Sequence, residues 1–190
     1  ANLIQLIRGI TLDIKGLKPQ KWWTYLPTTS PVWFRDTDAN ALNAIREQEE
    51  LVIIVPCQEN GELDYVKQDP FLSSFALRED GNQLHRNILS PVRAKGLEYK
   101  RVLLYKFGAE ALKRGRHLVD RVQNPHVTDM PVDERLEFEY FMNQLYVGVS
   151  RARVRLFVVD TDEAIEKFWS GPFSDARKRV DLVTKYKNDE

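Results

Sequence analysis

The sequence predicts an α/β protein with an open, mostly parallel sheet flanked by helices. Three mainly apolar runs, at 51–55, 102–107 and 154–159, have the branched and aromatic residues typical of buried strands. Segments with helical spacing of apolar residues lie between these runs, and this alternation favours an open α/β sheet. With 190 residues, 43% of them hydrophobic, the chain is long enough for one domain with a substantial core.

The first half of the chain predicts two helices and two strands. Leucine and isoleucine recur at helical spacing over residues 1–18, and three prolines then punctuate a loop that contains Trp22 and Trp23. A short strand is expected at 32–34. Asp36 is the predicted N-cap of a helix that runs to about residue 50. The apolar run 51–55, ended by Pro56, is the next strand.

The second half predicts three more strands with helices between them. Residues 57–85 are more polar and predict a connection with one short helix at about 65–77. Strands follow at 87–89 and 102–107, and residues 108–131 look basic and irregular. A helix starting at Asp133 leads into the strand 154–159. Helices at 160–169 and 174–187 follow, with Pro172 between them. We therefore predict a domain over residues 1–160 and a helical extension over 161–190.

Composition narrows the classes of function. Lys plus Arg and Asp plus Glu each number 28, so the net charge is zero, whereas a dedicated nucleic-acid module usually has a basic excess. The single cysteine, Cys57, excludes an intrachain disulfide and a cysteine-rich zinc site, and it fits a reducing cytoplasm. No apolar run approaches the ~20 residues that span a bilayer, so no membrane association is expected. The chain begins at Ala1 without a signal-peptide pattern or an initiator methionine, which suggests a processed form or a fragment.

The first segment that carries chemistry runs from residue 89 to 102. It places a polar loop between two strands, at the carboxyl end of the first, which is the edge where open α/β sheets bind ligands. Lys95 supplies a cation, Gly96 permits a tight backbone, and Glu98 supplies an acceptor suited to a ribose hydroxyl. The alternative is a solvated loop in which Lys95 and Glu98 pair with each other.

The second segment runs from residue 143 to 153. A helix with an apolar face delivers Arg151 where the chain turns into the strand 154–159. The planar guanidinium of an arginine at such a position suits the charge that develops on a transferring phosphoryl group. The alternative is an arginine that caps the helix C-terminus and pairs with a nearby carboxylate.

Together the two segments resemble motifs V and VI of UvrD/Rep-like superfamily 1 DNA helicases. Residues 94–99 (Ala-Lys-Gly-Leu-Glu-Tyr), followed by the strand near Val102, are similar to motif V. Residues 146–152 (Tyr-Val-Gly-Val-Ser-Arg-Ala), followed by 156–158, are similar to motif VI. The resemblance is strong over about 87–160 and weaker over 1–56. It implies the second, C-terminal RecA-like domain of an ATP-dependent helicase or translocase.

The resemblance also implies roles for individual residues. Arg151 would contact the γ-phosphate as an arginine finger, and Lys95, Gly96 and Glu98 would form part of the nucleotide cleft. Ser90 and Arg93 lie at the positions of motif V that face nucleic acid. The implied cofactors are ATP and Mg²⁺, bound mainly by the first RecA-like domain, and the implied partners are that domain and single-stranded or tailed DNA.

The sequence also departs from the family pattern. No glycine-rich phosphate loop ending in Gly-Lys-Ser/Thr occurs in the chain, so we do not expect it to hydrolyse ATP alone. Val92 occupies the position of the usual motif V histidine, Ser150 replaces threonine, and the family's large insertion is reduced to a short connection at 57–85. The alternative function is a non-catalytic RecA-like domain that binds protein or nucleic acid, and a third is a domain that completes the ATPase site of another chain.

Two further clusters have open interpretations. The basic residues at 113–121 fit either contact with a phosphate backbone or a solvated loop. The aromatic residues Trp22, Trp23 and Tyr25 fit either stacking on single-stranded bases or anchoring of a loop on the core.

Overall fold

The computed structural model describes residue 7 and residues 31–48, 50–124 and 130–173. The described residues form an α/β fold with a five-stranded sheet in the order β1-β5-β4-β2-β3. Every strand pair is parallel. An open parallel sheet with helices on both faces is consistent with a RecA-like domain, so the predicted fold class is confirmed.

The five strands are close to those that the sequence predicts. Their bounds are Val32–Arg35 for β1, Leu51–Ile54 for β2, Ile88–Leu89 for β3, Tyr99–Tyr105 for β4 and Ala152–Asp160 for β5. All four residues of β2 are buried because both faces of this strand are covered. Strands β4 and β5 are longer than their apolar runs, since their polar first residues pair with each other at the rim of the sheet.

The helices divide between the two faces of the sheet. The connection that follows β2 leads outward to β3, whereas the one that follows β4 leads the other way to β5. Crossovers between parallel strands are right-handed, so opposite directions put their helices on opposite faces. Alternate residues of β2 accordingly belong to two cores, with Val52 and Ile54 in one and Leu51 and Ile53 in the other.

Helices α1 (Ala39–Glu47), α2 (Glu62–Gln68) and α3 (Pro70–Ala76) cover the first face. The N-cap of α1 is Asp38, whose carboxylate accepts from Ala41 N, so the predicted cap at Asp36 was wrong. The single helix predicted at 65–77 is two helices. Pro70 cannot continue α2, and Asp69 starts α3 by accepting from the backbone N–H groups of Phe71 and Leu72.

Helices α4 (Pro91–Ala94), α5 (Phe107–Arg114) and α6 (Arg116–Gln123) lie on the second face. The prediction of an irregular basic segment at 108–131 was wrong for its first part, up to Gln123, which is helical. Its apolar residues follow helical spacing and are buried, and its charges occupy the outer faces of α5 and α6. Gly115 separates the two helices with a φ of 155°.

The longest helix, α7 (Val132–Ser150), crosses the second face and ends beside the start of β5. Its outer side near the N-terminus is partly apolar, and the inner side contributes Phe141 and Leu145 to the core. A short helix α8 (Asp162–Lys167) and a 3₁₀ turn (Gly171–Phe173) complete the described chain.

Aromatic side chains bring residues 162–173 into the same core as the sheet. Phe168, Trp169 and Phe173 are fully buried and contact one another through their rings, and Phe168 meets Phe141 of α7 edge to face. The boundary predicted at residue 160 stays a prediction. The predicted helix at 174–187 lies outside the described residues. So does the helix predicted at 1–18, apart from Ile7, which is helical and buried in the second-face core.

Candidate functional site

The two chemistry-bearing segments meet at the amino edge of the sheet, where parallel strands begin. Tyr99, the first residue of β4, is level with Ala152, the first residue of β5, and its backbone N–H donates to the carbonyl of Arg151 at 2.9 Å. Residues 95–98 precede β4, and Ser150 and Arg151 precede β5. Parallel pairing of β4 with β5 therefore places these two stretches side by side.

The Arg151 side chain is half-buried and is held entirely by neutral oxygens. Its Nε donates to the carbonyl of Val147 at 3.2 Å and to Ser150 Oγ at 3.3 Å, and its Nη2 donates to Ser150 Oγ at 2.9 Å. Nη1 reaches across to the carbonyl of Leu97 at 3.0 Å. The contact with Val147 is the helix-capping role considered as an alternative, but within the described residues no carboxylate forms an ion pair with this guanidinium.

The loop beside Arg151 exposes the other predicted nucleotide-cleft residues. The Glu98 carboxylate lies 3.6 Å from Arg153 Nε, with both side chains more than half exposed, so Glu98 pairs with Arg153 and not with Lys95. Lys95 is exposed and ends helix α4. Gly96 has a φ of 82°, in the left-handed region that glycine favours, and a Cβ there would meet no atom within 4 Å. Backbone conformation, not space, is what requires glycine at this position.

Ser90 and Arg93 lie at the opposite, carboxyl edge of the sheet. Ser90 follows β3, is fully buried and is the N-cap of α4, with its Oγ accepting from Arg93 N at 3.4 Å. The expectation that the whole polar loop lies at the carboxyl edge was therefore wrong. Residues 90–98 run from one edge to the other, and only their start lies where open α/β sheets bind ligands.

A buried glutamate that the sequence did not single out organises this carboxyl-edge group. Glu62, 2% exposed, accepts from the backbone N–H of Ser90 at 2.9 Å, and its other oxygen lies 3.6 Å from Arg93 Nη1. Burial acts to raise the pKa of Glu62, but hydrogen bonds from Ser90 and the charge of Arg93 outweigh it, and the pKa is lowered. Arg93 is thus partly neutralised within the chain. The acidic first turn of α2 is the only sequence signal for Glu62.

Two arginines act on the phenol of Tyr99, the first residue of β4. Burial raises the pKa of Tyr99, and the positive charges of Arg151 and Arg93 act against that rise. Near this edge, Leu97 just before β4 and Val154 near the start of β5 are apolar and each 49% exposed.

A cleft lies at the carboxyl edge between β2 and β4, away from Arg151 and the 95–98 loop. Connections leave these neighbouring strands in opposite directions, the arrangement at which open α/β sheets form a crevice. The cleft there has a volume of about 630 Å³ and is lined by residues after β2, after β4 and on α7. Lys106, in a left-handed conformation with a φ of 56°, bridges Asp69 at 3.0 Å and Asp36 at 3.4 Å. Burial raises the pKa of Cys57 in its wall to about 12.

Two of the five basic residues after β4 have acidic neighbours. Arg114 pairs with Glu110 at 2.8 Å, and His117 Nε2 lies 3.0 Å from a Glu137 oxygen. Lys113 and Arg116 are exposed and Arg121 is partly buried, and the described part of the chain holds no ion pair to these three. Phosphate contact by this segment stays a prediction carried by these three cations. The aromatic residues at 22–25 lie outside the described residues.

Searches for a membrane span and a metal centre gave no candidates in the described ranges. None of the helices there is long and apolar enough to cross a bilayer. Those ranges also hold no group of three or more His, Cys, Asp or Glu side chains placed to bind a metal ion.

Comparisons with known proteins gave one similarity to report. No protein-family profile matches the sequence, and no curated protein matches it. Among solved structures, the chain is similar to the C-terminal domain of a possible DNA helicase from Lactobacillus plantarum WCFS1. The identity is 17%, the TM-score is 0.39, and the match covers 84% of each chain. This TM-score is too low for the likeness to indicate fold or function.

Proposed function

We propose that this chain is the second RecA-like domain of an ATP-dependent DNA helicase or translocase of the UvrD/Rep type. In this proposal Arg151 is the arginine finger, and the 95–98 loop forms part of the nucleotide cleft. The observation that carries it is the guanidinium at the amino edge, half-buried and bound only by neutral oxygens. Because none of the described carboxylates pairs with it, its positive charge is available to an anionic ligand.

Hydrogen-bond accounting supports a phosphate ligand. An arginine side chain has five N–H groups. The contacts of Arg151 engage the Nε–H and one N–H on each of Nη1 and Nη2. One N–H on each terminal nitrogen therefore remains free to donate a charge-assisted hydrogen bond to a phosphoryl group. Lys95, exposed on the adjacent loop, adds positive charge at the same rim.

The exposed apolar rim fits the proposed partner domain. Leu97, just before β4, and Val154, near the start of β5, are each 49% exposed at the amino edge. Burial of such side chains against the first RecA-like domain would stabilise a closed, nucleotide-bound state. The Mg²⁺ ligands and the phosphate loop are assigned to that first domain, and no step of the reaction is assigned to Mg²⁺ on this chain.

The reading frame that contains this chain gives the first test. We expect a phosphate-loop domain upstream, and DNA-stimulated ATP hydrolysis by the protein that contains both domains. Arg151→Ala should lower turnover by about 10³- to 10⁵-fold and leave binding of a fluorescent ATP analogue largely intact. Arg101→Ala is the matched control, since the side chain of this exposed arginine on β4 donates to Gln48 Oε1 at 3.4 Å and is not part of the proposed site. Unchanged turnover in Arg151→Ala would refute the finger role.

One observation favours the alternative of a non-catalytic binding module. Arg93, the residue placed to contact DNA phosphate, already pairs with the buried Glu62 at 3.6 Å. In this alternative the chain binds protein or nucleic acid without an ATPase cycle. A reading frame that lacks a phosphate loop would support it, and DNA binding would then be insensitive to ATP.

A further inference from the structure

We infer that Ser150 is the positioning residue for Arg151, holding one edge of the guanidinium so that the other edge faces an incoming phosphoryl group. This inference rests on the proposed function and adds to it a specific task for a hydroxyl. The Ser150 side chain contacts no predicted ligand-binding group other than Arg151 in the described structure.

The argument begins with the geometry of the hydroxyl. Ser150 Oγ donates to the carbonyl of Val147 at 3.0 Å, which fixes its position on the last turn of α7. Its lone pairs then accept from Arg151 Nε at 3.3 Å and from Nη2 at 2.9 Å. Nε and Nη2 form one edge of the planar guanidinium, so a single oxygen holds that whole edge.

The second contact fixes the plane. Nη1 donates to the carbonyl of Leu97 at 3.0 Å. Leu97 lies in the loop whose shape depends on Gly96, so the loop and the last turn of α7 both hold this side chain. Two anchors of this kind leave the guanidinium little rotational freedom, which reduces the entropy lost when it binds a phosphoryl group.

Ser150→Ala removes one anchor without removing the charge. The Nε–H keeps the Val147 carbonyl, but Nη2 has no acceptor and the guanidinium can rotate about its side-chain torsions. Misplacement of a catalytic group by about 1 Å lowers rate by up to about 10²-fold, so we expect kcat to fall about 10- to 100-fold. KM should stay within about twofold, because the effect is on the transition state. Ser150→Thr retains the hydroxyl and should restore kcat.

A measurement on this chain alone tests the contact independently of turnover. The Nε–H of Arg151 should give a resolved NMR signal with slowed solvent exchange, since it is half-buried and bound by two oxygens. Exchange should accelerate in Ser150→Ala and slow again in Ser150→Thr. The free energy of unfolding in urea serves as the control. If Ser150 had only a structural role, Ser150→Ala would change this free energy without changing kcat/KM.

The outcomes separate the two proposals. If Arg151→Ala abolishes turnover while Ser150→Ala behaves as the parent protein, the finger role stands and the inference about Ser150 is wrong. If Arg151→Ala leaves turnover unchanged, the proposed function and the task of Ser150 both fail. If Ser150→Ala lowers kcat and Ser150→Thr does not restore it, or if Nε–H exchange is the same in both variants, the hydroxyl is not what positions Arg151.

Discussion

Asp160→Asn should be among the most damaging conservative substitutions in this chain. The Asp160 carboxylate ends β5, is fully buried and accepts four hydrogen bonds. Oδ2 accepts from Gly108 N at 2.6 Å and Trp169 Nε1 at 2.7 Å, and Oδ1 accepts from Ala109 N and Thr161 N, each at 3.0 Å. One side chain therefore fixes the start of α5, the turn into α8 and the buried indole.

The magnitude follows from counting donors. Asparagine has the same shape but replaces one oxygen with an NH₂ group, so in either orientation two of the four donors lose their acceptor. Each buried unsatisfied donor costs about 1–3 kcal/mol, which gives roughly 2–6 kcal/mol for the pair. Burial raises the pKa of Asp160 and its hydrogen bonds act against this rise. Removing the charge therefore offsets part of the loss, and we expect the lower half of that range.

Urea unfolding followed by far-UV circular dichroism measures this free energy. Typical domains unfold with about 5–15 kcal/mol, so the expected loss is a large fraction of total stability. Glu163→Gln is the matched control, because Glu163 lies on α8, is 60% exposed and pairs only with Lys167 on the surface. The control should change stability by less than about 1 kcal/mol. If Asp160→Asn is no less stable than Glu163→Gln, the reasoning about donors is wrong.

Two further predictions concern stability at the site. The pKa of Glu62 is lowered from 4.5, so its ionised form stabilises the fold above that value, and this contribution is lost as the pH falls through the folded-state pKa. Glu62→Gln should therefore flatten the decline of Tm with pH below about 4.5. Parallel curves of Tm against pH for the parent protein and Glu62→Gln would contradict this. Gly96→Ala should cost about 1–2 kcal/mol through its backbone conformation alone. Gly108→Ala should cost more, because its Cβ would lie 2.7 Å from Trp169 Nε1 and 2.9 Å from Asp160 Oδ2. A lower urea midpoint for Gly96→Ala than for Gly108→Ala would show that the backbone conformation at Gly96 outweighs the steric clash at Gly108.

The strands were predictable from sequence because each central strand is covered on both faces. A run such as Leu51–Ile54 must be apolar throughout, and no helix requires that pattern over so short a length. Helices α5 and α6 were missed for the opposite reason. Their charged residues are nearly as numerous as their apolar ones, and in α6 only the spacing of Leu118, Val119 and Val122 marks the buried side.

The site was predictable in its members more than in its arrangement. Motif spacing selects Arg151 and Glu98, but the ion pair between Glu98 and Arg153 depends on two strands starting at the same level. No local sequence pattern shows that β4 and β5 start at the same level. The buried Glu62 was missed because its partners, Ser90 and Arg93, lie 28 or more residues away along the chain. Long-range pairing of this kind is set by tertiary packing.

The segment 90–98 links the two edges of the sheet, and each end is held by a side chain from another element. At the carboxyl edge, Glu62 binds Ser90 N and pairs with Arg93. At the amino edge, Arg151 binds the carbonyl of Leu97. The edges are about 20 Å apart along β4, at roughly 3.3 Å per residue. The four-residue helix α4, with Ala94 buried in the core, covers only about 6 Å of that distance at roughly 1.5 Å per residue, and residues 95–98 cover the rest. Under the proposed function, the Leu97 carbonyl that orients Arg151 toward a phosphoryl group is therefore joined through α4 to Ser90 and Arg93, the residues placed to contact nucleic acid.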